Sequence, residues 1–234
     1  GQVIEYYPSG EGRSIVNYTK NQKEGIEYQF YRNGMLKEVA NIKRNPAEHL
    51  SYTQIIQIGD STGHLYLDST ASGKVLLDNE EYKFEGEYIN GNKHGLCKKT
   101  WKRRNLTTEI IYDKGKFISG KRIEANGKEI LLQSDNTFPM YPGGLSEFYK
   151  FLNRNLKYPE EARKKRIEGR VVVGFVVAAD GSINNTRVVK SVHHTIDQEA
   201  VRIILLAGKW IPGIQDGIPA RVAYNVVVMF KLQQ

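Results

Sequence analysis

From Leu145 onward the apolar positions change rhythm several times, and each rhythm predicts an element. Leu145, Phe148, Tyr149, Leu152 and Leu156 recur every three or four residues, the spacing of an amphipathic helix packed on a core. Pro159 stands where the first turn of a helix tolerates it. Glu160 and Glu161 follow it, while Arg163, Lys164, Lys165 and Arg166 crowd the other end, so each sign complements the helix dipole. Ile196, Ala200, Ile203, Ile204 and Ala207 form another apolar stripe. Thr195 and Gln198 read as its capping box, and Gly208 as its stop.

Between and after these helices the period is two. Residues 171–177 are apolar at every position except Gly174, which predicts a central strand buried on both faces. Residues 183–189 are half polar, and Asp180-Gly181 supplies the tight turn that joins the two strands as an antiparallel hairpin. Val222, Tyr224, Val226, Val228, Phe230 and Leu232 then alternate with Arg221, Ala223, Asn225, Val227, Met229 and Lys231, a long third strand with one buried face. With the first strand central and the second on one side, the third lies on the other side as an edge. An edge strand offers unpaired N–H and C=O groups to a partner's extended segment.

The first half is organised differently. Tyr7-Pro8-Ser9-Gly10 is echoed at Tyr31-Arg32-Asn33-Gly34, and the same interval separates Tyr88 from Gly91 and Tyr112 from Gly115. The stretch from Tyr18 to Gly25 aligns with that from Tyr88 to Gly95. Glycine and asparagine tolerate the positive φ of tight hairpin turns, so the units are expected to be β-hairpins in a meander. The segment 45–78 breaks the period, with short strands expected at His64 to Leu67 and Val75 to Leu77. Lys128 to Thr137 reads as a connector, with a domain boundary near Ser134 and a structured entry loop over Phe138 to Gly144. The expected architecture is α+β: a β-hairpin repeat domain over 1–133, then over 134–234 two main helices on a three-stranded antiparallel sheet.

Composition adds limits. The net charge of +8 divides into 20 basic against 17 acidic residues in 1–133 and 14 against 9 in 134–234, a field that attracts polyanions without choosing among them. Cys97, the only cysteine, rules out an internal disulfide and is expected as a small strand residue. No apolar run approaches the ~20 residues needed to span a bilayer, so membrane association is expected only through an anchor not present in this sequence.

Candidate chemistry is sparse. Gly59-Asp60-Ser61-Thr62-Gly63 fits G-x-S-x-G, but a nucleophile elbow needs a helix after the serine, and residues 64–68 alternate like a strand; a turn is expected, leaving Ser61 with His64 or His94 as the residues a hydrolase would need. The run from Lys98 to Arg104 combines cations with Trp101, yet alternation would split Lys98, Thr100, Lys102 and Arg104 from Lys99, Trp101 and Arg103, so no nucleic-acid platform is expected. His193 and His194 are expected to point apart on an extended chain and to hold no metal. No catalytic residue, metal or cofactor is expected.

Two resemblances follow from these residues. The Tyr-x-x-Gly turns followed by Lys-x-Gly and an aromatic strand, over about 7–38 and 84–128, resemble degenerate MORN-type repeats. Tyr158-Pro159-Glu160-Glu161-Ala162-Arg163, Gly169-Arg170-Val171, Asp180-Gly181, Asp197-x-x-Ala200, Trp210-x-Pro212-Gly213 and Val226-x-Val228-x-Phe230-Lys231, in that order, resemble the TonB C-terminal domain. The entry motif Pro139-x-Tyr141-Pro142-Gly143-Gly144 is similar to one branch of that family.

The resemblance implies a non-catalytic periplasmic module in the cell envelope of a double-membrane bacterium. It would bind the Ton-box segment of TonB-dependent outer-membrane transporters and contribute to energy-coupled transport. The segment would add as a strand beside Val222 to Phe230, with backbone pairing there, Arg221, Asn225, Val227 and Met229 discriminating side chains, and Trp210 as core support. The competing expectation is a periplasmic or lipid-anchored scaffold that uses the same edge for a homodimer or other envelope partners.

Overall fold

The structure is a computed structural model that describes residues 1–20, 22–45 and 50–232. The chain divides into two compact units, Gly1–Gln133 and Ser134–Gln234.

The first unit is all antiparallel β. One sheet contains β1 (Gln2–Tyr6), β2 (Gly12–Thr19), β3 (Gln22–Lys23), β4 (Gly25–Phe30), β5 (Leu36–Asn45) and β6 (Leu50–Ile58), in the order β1-β2-β4-β5-β6 with β3 paired to β2. The other contains β7 (Gly73–Asp78), β8 (Tyr82–Ile89), β9 (Asn92–Trp101), β10 (Leu106–Asp113), β11 (Lys116–Ile123) and β12 (Glu129–Leu131), in simple sequential order. Within each sheet consecutive strands pair, as a hairpin meander requires, except that the short β3 folds back on β2 and β4 also pairs with β2.

The Tyr-x-x-Gly interval serves two turn geometries. At Tyr7 and Tyr31 the tyrosine N–H donates to the carbonyl four residues on, Glu11 and Met35, and the glycine N–H donates back to the tyrosine carbonyl. At Asn90-Gly91 and Lys114-Gly115 both residues have positive φ between pairs Ile89↔Asn92 and Asp113↔Lys116, the type I′ hairpin. The longer echo is structural too: Tyr18 faces Lys23 as Tyr88 faces Lys93, and Gly25 and Gly95 both take positive φ two residues later.

The tyrosines also tie each hairpin to the next. Tyr7 Oη donates to Phe30 O (2.9 Å) and Tyr31 Oη to Gly59 O (3.2 Å). Arg32 lies 5.4 Å over the Tyr7 ring and Lys93 5.2 Å over that of Tyr112, cation–π contacts on the same tyrosines that start the turns.

Three expectations for this unit are corrected. Residues 64–67 form no strand: the Asp60 carboxylate accepts from Thr62 N–H, Thr62 Oγ1 and His64 N–H, which closes a turn and leaves a single bridge, Gly59↔Leu65. The supposed connector begins with β12, because Glu129–Leu131 finds the outer side of β11. The basic run leaves its strand at Trp101, so Arg104 swings back to 5.9 Å over the Trp101 ring instead of lying on the opposite face. Cys97 is buried in β9, as its small size suits.

The second unit holds α1 (Gly144–Asn155), α2 (Glu160–Lys164), β13 (Gly169–Val177), β14 (Ile183–Lys190), α3 (His194–Leu206), β15 (Gly213–Gln215), β16 (Ile218–Ala220) and β17 (Val222–Phe230). The three-stranded sheet has the order β14-β13-β17, with α1 and α3 as the two long helices. Val171, Val173, Phe175 and Val177 of β13 join Phe148, Leu152, Ile196, Ala200, Ile203, Ile204 and Val228 in one buried core.

Here too details depart from expectation. Both long helices contribute to the core on one face of β13, so Val172 and Val176 on its other face are only half-buried and the strand is not covered twice. The N-cap of α3 is His193, whose Nδ1 takes the Thr195 N–H at 3.4 Å; Thr195 is already inside the helix, and no Thr195–Gln198 capping box forms. His194 opens that helix, so the two histidine rings lie 4.3 Å apart, tilted, and do not diverge. The β15–β16 hairpin was hidden behind Pro212-Gly213 and Pro219.

Candidate functional site: the outer edge of β17

β17 pairs with β13 through nine residue pairs in unbroken register, from Gly169↔Phe230 to Val177↔Val222. Among the described residues no strand pairs with its other side.

The phase of the edge follows from the hairpin. Ala178 N–H donates to Ser182 O, so Ala178 turns its backbone groups toward β14, and Val177 turns its own toward β17. Alternation then points the backbone of Val222, Tyr224, Val226, Val228 and Phe230 at β13. The N–H and C=O groups of Ala223, Asn225, Val227 and Met229 point outward. Those four residues also carry the exposed side chains of the strand, whereas Val226, Val228 and Phe230 are buried. Edge and open face are therefore presented by the same residues. Arg221 is exposed and lies one position before β17 begins.

On that open face Gly174 sits opposite Asn225. A Cβ at Gly174 would come 2.7 Å from Asn225 Oδ1 and 2.8 Å from Val189 Cγ2, so the absent side chain makes room for the asparagine.

The support lies behind the sheet. Trp210 is 5% exposed, and Tyr141, Phe148, Phe175 and Tyr224 surround its ring at centroid distances of 5.1–5.8 Å. Its buried Nε1 has no hydrogen-bond partner among the described residues. Tyr141 reaches this cluster because the entry loop is held by pairs Thr137↔Ile214 and Met140↔Ile211.

Two carboxylates organise the helix ends. Asp197 accepts from Ser191 Oγ and Val192 N–H, fixing the approach to α3. Glu199, 8% exposed, accepts from Lys157 N–H (2.6 Å) and from Arg202 Nε and Nη2 (2.6 and 2.7 Å), and so clamps the α1–α2 connection to α3. Tyr158 Oη donates to Ile167 O across α2, and burial raises its pKa.

At the C-terminal end of β17 an open cleft of about 1540 Å³ lies against α1 and α2, with Tyr149, Arg163, Arg166, Met229 and Lys231 in its walls. The arginines were readable only as dipole partners of a helix end. What could have singled out Arg166 is its position just past α2, where glycine is usual; its φ is +52°.

The other candidates are scattered. Ser61 stands in the Asp60 turn with no helix after it, and His64 packs edge-on against Tyr66. His94 faces Asp113 at 3.6 Å, on the other sheet of the first unit. Lys98 is paired with Glu109 and Lys102 with Asp78, while Lys99 lies 4.1 Å over Trp101. Among the described residues no group of three His, Cys, Asp or Glu is placed to hold a metal, and no helix is long and apolar enough to cross a membrane.

Comparison with known proteins concerns the second unit. Residues 154–232 match the family described as Gram-negative bacterial TonB protein C-terminal. A solution NMR structure of the Helicobacter pylori TonB C-terminal domain shares 24% identity over 38% of this chain and 81% of that one, with a TM-score of 0.31. No curated protein matches the chain. The matched stretch begins at the end of α1 and takes in α2, α3, the β13–β14 hairpin and the edge strand β17, and residues 154–232 are a TonB C-terminal domain.

Proposed function

We propose that this chain is a non-catalytic cell-envelope binding protein that takes up an extended segment of an outer-membrane transporter, the Ton box, as a fourth strand beside β17. The observation that carries the reading is the unpaired outer side of β17, where Ala223, Asn225, Val227 and Met229 offer backbone donors and acceptors in alternation. Backbone pairing supplies affinity and the exposed Asn225, Val227 and Met229 side chains, with Arg221 beside them, supply selectivity. The TonB C-terminal domain supports a role in energy-coupled transport and a place in the Gram-negative envelope. The first unit, which we read as MORN-type, would act as a second docking surface.

A labelled Ton-box peptide titrated into the isotope-labelled protein is expected to shift the amide signals of Val222 to Phe230. Shifts confined to other residues would refute the assigned edge.

The second reading is a scaffold that pairs β17 with another copy of itself. Exposed Val189, Val227 and Met229 favour it, since they give the sheet an apolar outer face. Sedimentation with and without peptide separates the two: dissociation of a dimer on adding peptide would mean that copy and peptide compete for one edge.

A further inference from the structure

The sheet β7–β12 of the first unit carries an unbroken row of side chains across its outer face. Leu76↔Glu85, Glu85↔Lys98, Lys98↔Glu109, Glu109↔Lys121 and Lys121↔Leu131 are direct cross-strand partners, so one residue from each of the six strands stands in line. The row points away from the core, because Val75, Phe84, Cys97 and Ile110, each one position from a member of it, are buried on the other face. Ion pairs Lys98–Glu109 (2.9 Å) and Lys121–Glu109 (3.7 Å) steady its middle, and the Lys98 side chain stays 49% exposed. Leu76 and Leu131 at the two ends are 50% and 78% exposed. Beside the charges, Leu96 faces Ile111 across the same two strands, at 57% and 44% exposure.

From β7 to β12 the row runs apolar, acid, base, acid, base, apolar. Reversed, it is its own complement at every position. A second copy turned by 180° about an axis parallel to the strands, midway between β9 and β10, lays the reversed row over the original. Lys98 then meets the partner's Glu109, Glu85 the partner's Lys121, Leu76 the partner's Leu131, and Leu96 the partner's Ile111. An axis running along the row would instead set Lys98 over the partner's Lys98, like charge on like. Six strands about 4.8 Å apart, each of about eight residues, give a footprint of roughly 600 Å², near the ~800 Å² that each partner brings to a standard interface.

We propose that this chain self-associates through the outer face of β7–β12, as an isologous dimer with the two sheets stacked face to face. Stacked sheets cross at about 30°, so opposed charges meet best at the centre of the row, at Lys98 and Glu109. All the residues involved belong to the first unit, and the contact does not draw on β17.

Sedimentation velocity of the full chain at about 100 µM is expected to show a dimer, as suits an interface of this size. Lys98→Glu sets acid against the partner's Glu109, and Glu109→Lys sets base against the partner's Lys98. Each variant alone should associate at least about tenfold more weakly and sediment as a monomer. An equimolar mixture of the two restores opposite charges at both contacts and should sediment as a dimer again. Circular dichroism of each variant checks the fold. Leu96→Ser, at an exposed position, tests the apolar contact without touching an ion pair and should also lose the dimer while melting as the parent does. A monomeric parent, a dimer that survives either charge reversal or Leu96→Ser, or a mixture that stays monomeric would each overturn the proposal. A dimer that Ton-box peptide dissociates would assign self-association to β17 and overturn it as well.

Discussion

Trp210 N–H donates to the carbonyl of Gly181 at 2.9 Å, and a Cβ on Gly181 would fall 2.2 Å from the Trp210 carbonyl oxygen. The turn that joins β13 to β14 is thereby locked to the residue at the centre of the aromatic cluster. Glycine is required twice over, by φ = +83° and by this approach.

Gly181→Ala should therefore destabilise the second unit by about 2–4 kcal/mol, more than backbone conformation alone would cost. Urea unfolding followed by Trp210 fluorescence, in a Trp101→Phe background, reads that unit. A loss below about 1 kcal/mol would mean that the turn can move away from Trp210.

Val227→Pro removes an outward-facing N–H and leaves the β13 pairing intact, since proline is tolerated where the missing donor faces solvent. Circular dichroism and melting should stay near those of the parent, while Ton-box peptide binding falls at least tenfold. A matching change at Val226, whose N–H points at β13, should instead unfold the sheet.

Glu199→Ala leaves the Lys157 N–H without its acceptor and the Arg202 guanidinium with the Asn155 carbonyl alone, at 2.9 Å. Because Arg202 remains 40% exposed and can rehydrate, the expected cost is moderate, about 2–3 kcal/mol by urea unfolding. Arg202→Ala should cost less, because Glu199 retains the Lys157 N–H.

Asp60 tests the first unit. Hydrogen bonds from Thr62, followed by those from His64 and Tyr66, hold its pKa at about 2, below the ordinary aspartate value of 3.8. A depressed folded-state pKa stabilises the fold above the unfolded value and the gain is lost as pH falls, here between about 3.8 and 2. A carboxylate this exposed contributes modestly, so the readout is its own titration. The carbon-13 shift of the Asp60 carboxyl should titrate near pH 2, and Thr62→Val should move the midpoint upward.

Much of the second unit is legible in its sequence. Period-two alternation places Val226, Val228 and Phe230 inside, and the Asp180-Gly181 turn fixes strand order, so the edge can be deduced before any coordinates. The double apolar face of β13 misleads, because a central strand can be apolar on a side that neighbouring strands only half cover, as at Val172 and Val176. His193 as a cap is hidden because a ring nitrogen substitutes for the hydroxyl that sequence patterns favour. The cleft is hidden because a basic helix end already has a local electrostatic explanation. In the first unit the tyrosine interval is visible, but the carbonyls that receive Tyr7 and Tyr31 lie 23 and 28 residues away, a distance no local pattern encodes.

The unbroken register between β17 and β13 has a mechanical consequence. A tug along the axis of β17 loads the nine pairs from Gly169↔Phe230 to Val177↔Val222 side by side, in shear, so they must yield together. A tug across the axis peels them one at a time from an end. A segment docked along the outer side of β17 would meet the same geometry, and the domain would hold its cargo against lengthwise pulling while letting it go sideways under a far smaller force.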